Sequence, residues 1–347
     1  MDTLAAVAFA RELIDIDSTT GREQQAGEWL AARLDALGYR VERQPVADGR
    51  FNVFARLDDP VVVLSTHFDC VPPFFPSDVR DGTLFGRGSC DAKGILAAQV
   101  AAAEQMRARG ERRIGLLFVV GEERGSDGAA VANAAAPGSA FLINGEPTDN
   151  RLGTATRGML RLRLSAAGRA AHSAAPEQGI SAIDKLLDAL VRMRQLKWPG
   201  DPELGETFYT IGLIEGGVAP NVISPAASAE VMFRIVGSPD DVLQVARTLE
   251  PAVAVEEVLR VPMVRLHTIP GIRSALFPFT TDVPLLDRWG APLLYGPGSF
   301  LDAHTAQEHL TIAALEQAIA GYQTLASACL AADRKHASPS SSARISN

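Results

Sequence analysis

Apolar residues follow two different habits along this chain. Up to about residue 156 they come in continuous runs: 61–66 (VVVLST), 114–120 (IGLLFVV) and 140–143 (AFLI). Short, β-branched runs of this kind predict strands covered on both faces, the habit of a parallel sheet. Helical spacing is predicted over 4–16, from a capping box at Thr20-Gly21-Arg22-Glu23 to Leu37, and from Gly94 to about Arg109. Residues 39–46 and 52–57 add two strands around an Asp48-Gly49 turn. Residues 71–88, with three prolines and three glycines, are expected as a long loop of the length commonly kept for function.

From Arg157 the pattern changes. Leu160, Leu162 and Leu164 alternate with Arg161 and Arg163, which predicts a strand with one face in water. A helix over 180–197, strands at 208–214 and 229–236, a helix from Pro239-Asp240 and a strand at 254–261 complete a β-α-β-β-α-β order. That order is the ferredoxin-like split unit. The expected architecture is therefore α/β: helices around a mainly parallel sheet in 1–156 and 266–333, interrupted by a small ferredoxin-like α+β domain at 157–265. The second part carries a strand at 292–295 and, behind another capping box at Thr305-Ala306-Gln307-Glu308, a helix to about Ala331. Glycine-flanked crossings at Arg157-Gly158 and Pro270-Gly271 are candidate hinges between the two. Residues 334–347, with five serines and no apolar periodicity, are expected as a disordered tail.

The chemistry sits at the ends of the apolar runs. Run 61–66 leads into His67-Phe68-Asp69, run 114–120 into Gly121-Glu122-Glu123, and run 140–143 into Asn144-Gly145-Glu146. His67 and Asp69, two apart on an extended segment, point the same way. They either cap a strand or form the carboxylate–imidazole pair that fixes a histidine tautomer for a metal. Three such ends on one sheet edge crowd carboxylates where open α/β folds bind ligands, and a cation relieves their repulsion. Asp91, in the glycine-rich stretch 86–94 (GRGSCDAKG), lies at a predicted helix N-terminus, where it is either an N-cap or a ligand. His304, in 296–304 (GPGSFLDAH), is a ligand candidate once that incomplete set exists.

Composition narrows the classes. With 347 residues, 47% hydrophobic and 21% charged, the chain has an ordinary globular balance and room for two domains. A formal charge of −8 argues against a nucleic-acid-binding surface. Cys70, Cys90 and Cys329 are too few for a disulfide framework and read as small buried thiols. No basic-then-apolar leader and no run of membrane-spanning length occurs, so a cytoplasmic enzyme with no membrane partner is the expectation.

Seven segments together resemble the M20 family of metallopeptidases and deacylases: STHFDCVP at 65–72, GRGSCDAKG at 86–94, GEERGSDG at 121–128, NGEPT at 144–148, GRAAHSAAPEQGISAI at 168–183, GGVAPNVIS at 216–224 and GPGSFLDAHTAQEHL at 296–310. The resemblance implies a two-metal catalytic domain interrupted by a lid domain that often dimerises. It implies that Asp91 bridges two Zn²⁺ ions, for which Co²⁺ can substitute. His67 and Glu146 would complete one site, Glu123 and His304 the other. Asp69 would orient His67 and Glu122 would be the general base, taking a proton from the attacking water and returning it to the leaving amine. From the lid, His172 would stabilise the oxyanion, often from the partner subunit. Asn221 and Arg234 would hold the substrate's α-carboxylate, and Gly298 would border the substrate through its backbone. Within the resemblance, Glu146 at the fourth ligand position goes with deacylases and carboxypeptidases rather than di- and tripeptidases. The ending at 296–310 and the compact length look most like acetylornithine deacetylase and its lysine- and citrulline-processing relatives, with a place in arginine or lysine biosynthesis. Ser299-Phe300 departs from that pattern in a way that would alter the acyl or side-chain pocket. A metallocarboxypeptidase or dipeptidase is the alternative. A non-catalytic relative would have lost a ligand or the base, and none is missing.

Overall fold

The computed structural model describes residues 1–47 and 49–337, in two compact units. The first comprises Met1–Thr154, Leu266–Ala275 and the chain from Thr281; the second comprises Ala155–Arg265 and Leu276–Thr280.

The first unit is built on a six-stranded sheet in the order Arg40–Ala47, Arg50–Arg56, Ile114–Val119, Val62–His67, Phe141–Asn144, Ala291–Leu294. The last four strands are parallel, and the first two form an antiparallel hairpin on their edge. Val62–His67 and Ile114–Val119 are buried at every position, as their unbroken apolar runs require. On one face their side chains meet the helices Thr3–Ile14, Gln24–Ala36, Lys93–Ala108 and Ile312–Ala337 in one core that includes Leu13, Leu30, Leu64, Leu96, Phe118 and Tyr322. The alanines of Lys93–Ala108 let that helix lie close against its neighbours. On the other face, Trp289 packs edge-on to Phe54 beside Val63 and Leu117. Register places the site: His67 pairs with Val119 and Ser65 with Asn144, so three strands deliver their following loops at one edge.

Four local expectations change. The box at Thr20–Glu23 does not form: the helix Gln24–Ala36 has no side-chain cap, and Thr20 Oγ1 donates to Asp69 (2.8 Å). Glu23, fully buried, accepts from Arg50 Nε (2.9 Å) and Nη2 (2.8 Å) instead. The box at Thr305–Glu308 also fails. Glu308 is drawn inward to Arg87, His309–Thr311 becomes a strand, and the helix begins only at Ile312. Inside the expected loop 71–88, Asp78–Arg80 and Thr83–Phe85 form a hairpin that His309–Thr311 extends to three strands. Its Asp81-Gly82 turn has φ of 49° and 72°, the geometry that Asp-Gly favours in tight hairpins. Finally, the helix Ile312–Ala337 runs through the start of the expected tail at 334–347. The remainder of that tail, and Asp48 of the expected turn, lie outside the described residues.

The second unit has a four-stranded antiparallel sheet in the order Phe208–Gly216, Ala226–Ile235, Gly158–Ala167, Ala254–Val261. This is the strand order of the ferredoxin-like split unit. The helices Ala182–Met193 and Pro239–Arg247 give Leu186, Leu190, Val242 and Leu243 to its core, against Leu160, Leu162, Leu164, Val231 and Phe233. The opposite face of Ala226–Ile235 carries Glu230, Met232 and Arg234, all half-buried.

Candidate active site and metal centre

Asp69 is the hub of the edge. Its Oδ1 accepts from the backbone N–H of Glu122 (3.1 Å), and its Oδ2 accepts from that of Glu123 (3.2 Å) and from Thr20 Oγ1 (2.8 Å). His67 Nδ1 lies 3.5 Å from Asp69 Oδ1 and 3.1 Å from the Asp69 carbonyl oxygen. One carboxylate therefore orients a histidine and fixes the turn that carries two glutamates. Burial works against its charge, but the contacts with His67, Thr20 and the backbone hold the Asp69 carboxyl below its usual range. The turn itself needs Gly121, which has φ +78° and no room for a side chain beside Asp127 and Arg50. Arg50 ties that region down by pairing with both Glu23 and Asp127.

The other nitrogen of His67, Nε2, lies 3.0 Å from Asp91 Oδ1. Asp91 Oδ2 is 3.3 Å from His304 Nε2, which is in turn 2.9 Å from Glu123 Oε1. Ligand atoms of His67, Asp91 and Glu123 all lie within 4.8 Å of one another. Asp91 is not an N-cap: that place before Lys93–Ala108 falls to Ala92, which makes no side-chain bond. Burial opposes the charge of Asp91, but His304 and His67 hold its carboxyl far below the usual range. His304, with φ +64°, is pushed up to about 10 by Asp91 and Glu123. Burial opposes protonation of His67, yet its bonds to Asp69 and Asp91 raise it well above its ordinary value. The cluster attracts positive charge.

Glu146 is buried, and its Oε1 has no hydrogen-bond partner among the described residues. Burial, together with the charges of Glu122 and Asp91, pushes its carboxyl well above the usual range. Burial also raises Glu122, to which Asp282, Glu123 and Asp91 add repulsion. An orphaned buried oxygen, carboxylates starved of counter-charge and a mixed imidazole–carboxylate donor set all fit divalent cations of the zinc type. Gly298, at φ +79°, lies so near Cys90 that a Cβ there would come within 2.6 Å of its sulfur, and its carbonyl accepts from Asp149 N–H (2.7 Å). The three cysteines are free and buried.

His172, Asn221 and Arg234 lie in the second unit. The loops of His172 and Asn221 run together, with Ser173 N–H donating to the Asn221 carbonyl (3.0 Å) and Ile223 N–H to that of Ala171 (2.9 Å). His172 is exposed, and its Nδ1 accepts from Ala174 N–H (3.1 Å), which leaves Nε2 as the donor of the neutral ring. Arg234 Nη1 is buried with no hydrogen-bond partner among the described residues, and burial lowers the guanidinium's pKa.

Four contributors escaped the sequence: Thr20 and Glu308, hidden in apparent capping boxes, Arg87, and Asp282. Asp282 is buried beside the cluster, and desolvation brings its carboxyl up to about 6. Only an acidic residue within an otherwise apolar stretch, 281–286 (TDVPLL), hinted at it.

Residues 63–328 match the model of peptidase family M20/M25/M40. A probable carboxypeptidase of Aspergillus clavatus is 37% identical over 93% of this chain and 82% of its own length. Among solved structures, a tripeptidase of Staphylococcus aureus superposes with a TM-score of 0.80 at 20% identity, covering 94% of this chain and 99% of that one. A dinuclear metal binding M20 peptidase of Bacillus subtilis gives a TM-score of 0.73 at 15% identity, covering 95% and 98%. The relatives' names favour the peptidase alternative, and the acetylornithine deacetylase expectation, with its biosynthetic pathway, gains no support from them. By the extent of the family match and of the relative's identity, the chain belongs to peptidase family M20/M25/M40.

Proposed function

We propose that the chain is a metal-dependent carboxypeptidase, hydrolysing the amide bond that joins an acyl or peptidyl group to a C-terminal amino acid with a free carboxylate. The observation that carries this reading is the 37% identity to a probable carboxypeptidase over 93% of the chain. The cluster of His67, Asp91, Glu123 and His304, with buried Glu146, supports a metal requirement. These five residues, Asp91 among them, would hold two ions of the zinc type. When bound, such ions supply Lewis acidity and relieve the carboxylate repulsion.

The chain's own residues do the rest. Glu122 accepts a proton from the attacking water and delivers it to the nitrogen of the leaving amino acid, so the C–N bond breaks with no net proton change at the glutamate. Asp69 holds the turn of Glu122 and the ring of His67 through the contacts described above. His172 Nε2 donates to the oxyanion. Asn221 and the unpaired Nη1 of Arg234 receive the α-carboxylate, for which a guanidinium offers a two-pronged charge-assisted contact. Gly298 lines the substrate with backbone alone.

N-acetyl amino acids present the same scissile bond with a small acyl group, so one assay separates the two readings. The metal-loaded protein is offered N-blocked dipeptides, N-acetylornithine and other N-acetyl amino acids, and free di- and tripeptides. Blocked dipeptides are expected to give the highest kcat/KM; a preference for N-acetylornithine would reverse the assignment. Amidating the substrate's carboxylate is expected to remove most of kcat/KM, with Arg234→Ala costing little more on the amide. Indifference of the wild-type enzyme to amidation would remove Arg234 from the reading.

The proposal includes a homodimer through the second unit acting as lid and dimerisation domain. Phe208–Gly216 is an edge strand with Phe208, Leu213 and Ile214 exposed, and Leu187 and Val191 are exposed one turn apart on Ala182–Met193. Unpaired edges and exposed apolar patches of this kind favour association. Among the described residues no helix is long and apolar enough to cross a membrane.

A further inference from the structure

The stretch 86–91 carries Asp91 with no regular secondary structure of its own, yet every residue in it is buried. A second stretch, far along the chain, holds it. Glu308 Oε1 accepts from three loop amides, those of Gly88 (3.0 Å), Cys90 (3.1 Å) and Asp91 itself (3.0 Å). Its Oε2 accepts from Arg87 Nη1 (2.6 Å), and its carbonyl accepts from Gly86 N–H (3.3 Å). The guanidinium is fixed in turn, since Arg87 Nε donates to the Pro73 carbonyl (3.1 Å). Glu308 is fully buried and Arg87 is nearly so. A carboxylate in a nest of backbone N–H groups is a strong, directional clamp.

The clamp bears on the metal cluster in two ways. It bonds the backbone N–H of Asp91, so a slip of this loop would move the Asp91 carboxylate away from His67, which a different strand holds. It also sits in the same segment as His304. The strand His309–Thr311, paired with Thr83–Phe85, fixes where that segment leaves the site. Gly88, at φ +91° with Cys70 Sγ only 2.8 Å from where its Cβ would be, lets the loop fold tightly enough for all three amides to point at one oxygen.

We propose that Glu308, anchored by Arg87, is the positioning residue that sets Asp91 and His304 at metal-binding distance from each other. Glu308 touches neither substrate nor metal and acts through the Asp91 backbone. The inference rests on the reading that Asp91 and His304 hold metal. Ligand-supporting groups of this kind commonly change metal affinity by 10- to 100-fold.

The test uses the full chain, stripped with chelator and titrated with Co²⁺, while the visible cobalt absorption and the bound metal are followed. Thermal melting of the metal-free protein is recorded alongside. Glu308→Ala is expected to weaken cobalt binding about tenfold or more and to change the cobalt band. Glu308→Asp keeps the charge opposite Arg87 but withdraws the oxygen by one methylene. It is expected to melt near the wild type when metal-free, yet bind cobalt several-fold more weakly, and it carries the test if the alanine variant does not fold. Wild-type cobalt affinity and spectrum in Glu308→Asp overturn the proposal, as does a lower melting temperature without any change in affinity. A wild-type chain that takes up no cobalt overturns the metal reading itself, and this inference with it.

Discussion

The loop 86–91 and the loop around His172 each present one residue to the proposed chemistry, but they are held in opposite ways. Loop 86–91 is buried throughout, and the Glu308 side chain reaches in to fix its backbone while pairing with the loop's own Arg87. The His172 loop is exposed and is tied by backbone pairing to the stretch at Asn221 and to Ile180, and by its own ring. A cation ligand must sit within a few tenths of an ångström of its place before the ion arrives, and buried charge-assisted bonds provide that. A donor that serves only in the transition state needs no such frame, so it can stand in water at little cost to the fold.

Substitutions can break this contrast or sharpen it. On the rigid edge, Glu122→Gln is expected to keep both the fold and the bound metal while lowering kcat by about 10²–10⁴. Steady-state kinetics with metal analysis checks it, and loss of metal instead would make Glu122 a ligand. Arg87→Met leaves the Glu308 carboxylate buried without its counter-charge. It is expected to cost about 3–5 kcal/mol of stability, read by denaturant unfolding of the metal-free protein. His172→Ala is expected to cost roughly 10²–10³ in kcat. Its stability should stay within about 0.5 kcal/mol of wild type, because the ring is exposed. If Arg87→Met and His172→Ala destabilise equally, the contrast between the loops is wrong. The smallest effect belongs to Leu213→Glu, which is expected to shift the protein to a monomer in sedimentation while leaving its melting temperature nearly unchanged. A wild-type chain that is already monomeric would remove the dimer.

The strands and their ends were legible because burial on both faces leaves an unbroken apolar run, and the residues that stop the run are those at the edge. The ferredoxin-like order was legible from a different pattern: alternation marks the one apolar face of the strands, and helical spacing marks the helices that cover that face. Neither capping-box pattern forms a box, and for one cause. In each, the glutamate that should have bonded its own helix is drawn to an arginine remote in sequence, Glu23 to Arg50 and Glu308 to Arg87. A local four-residue pattern contains no record of that competitor. The threonine of the first box is diverted in the same manner, to Asp69. The partners of the site were thus hidden where the local signal looked strongest, because a buried ionic bond outcompetes an exposed cap. The hairpin inside 71–88 is a different case, since its Asp81-Gly82 signal was present in the sequence and the surrounding prolines masked it.

The central claim is that the strand-edge cluster works through bound metal. The most direct measurement strips the full chain with chelator, verifies the loss by elemental analysis, and follows hydrolysis of an N-blocked dipeptide as Zn²⁺ or Co²⁺ is returned. Activity is expected to vanish on stripping and to return in step with the binding of two ions per chain. Full activity in protein shown to be metal-free would contradict the account.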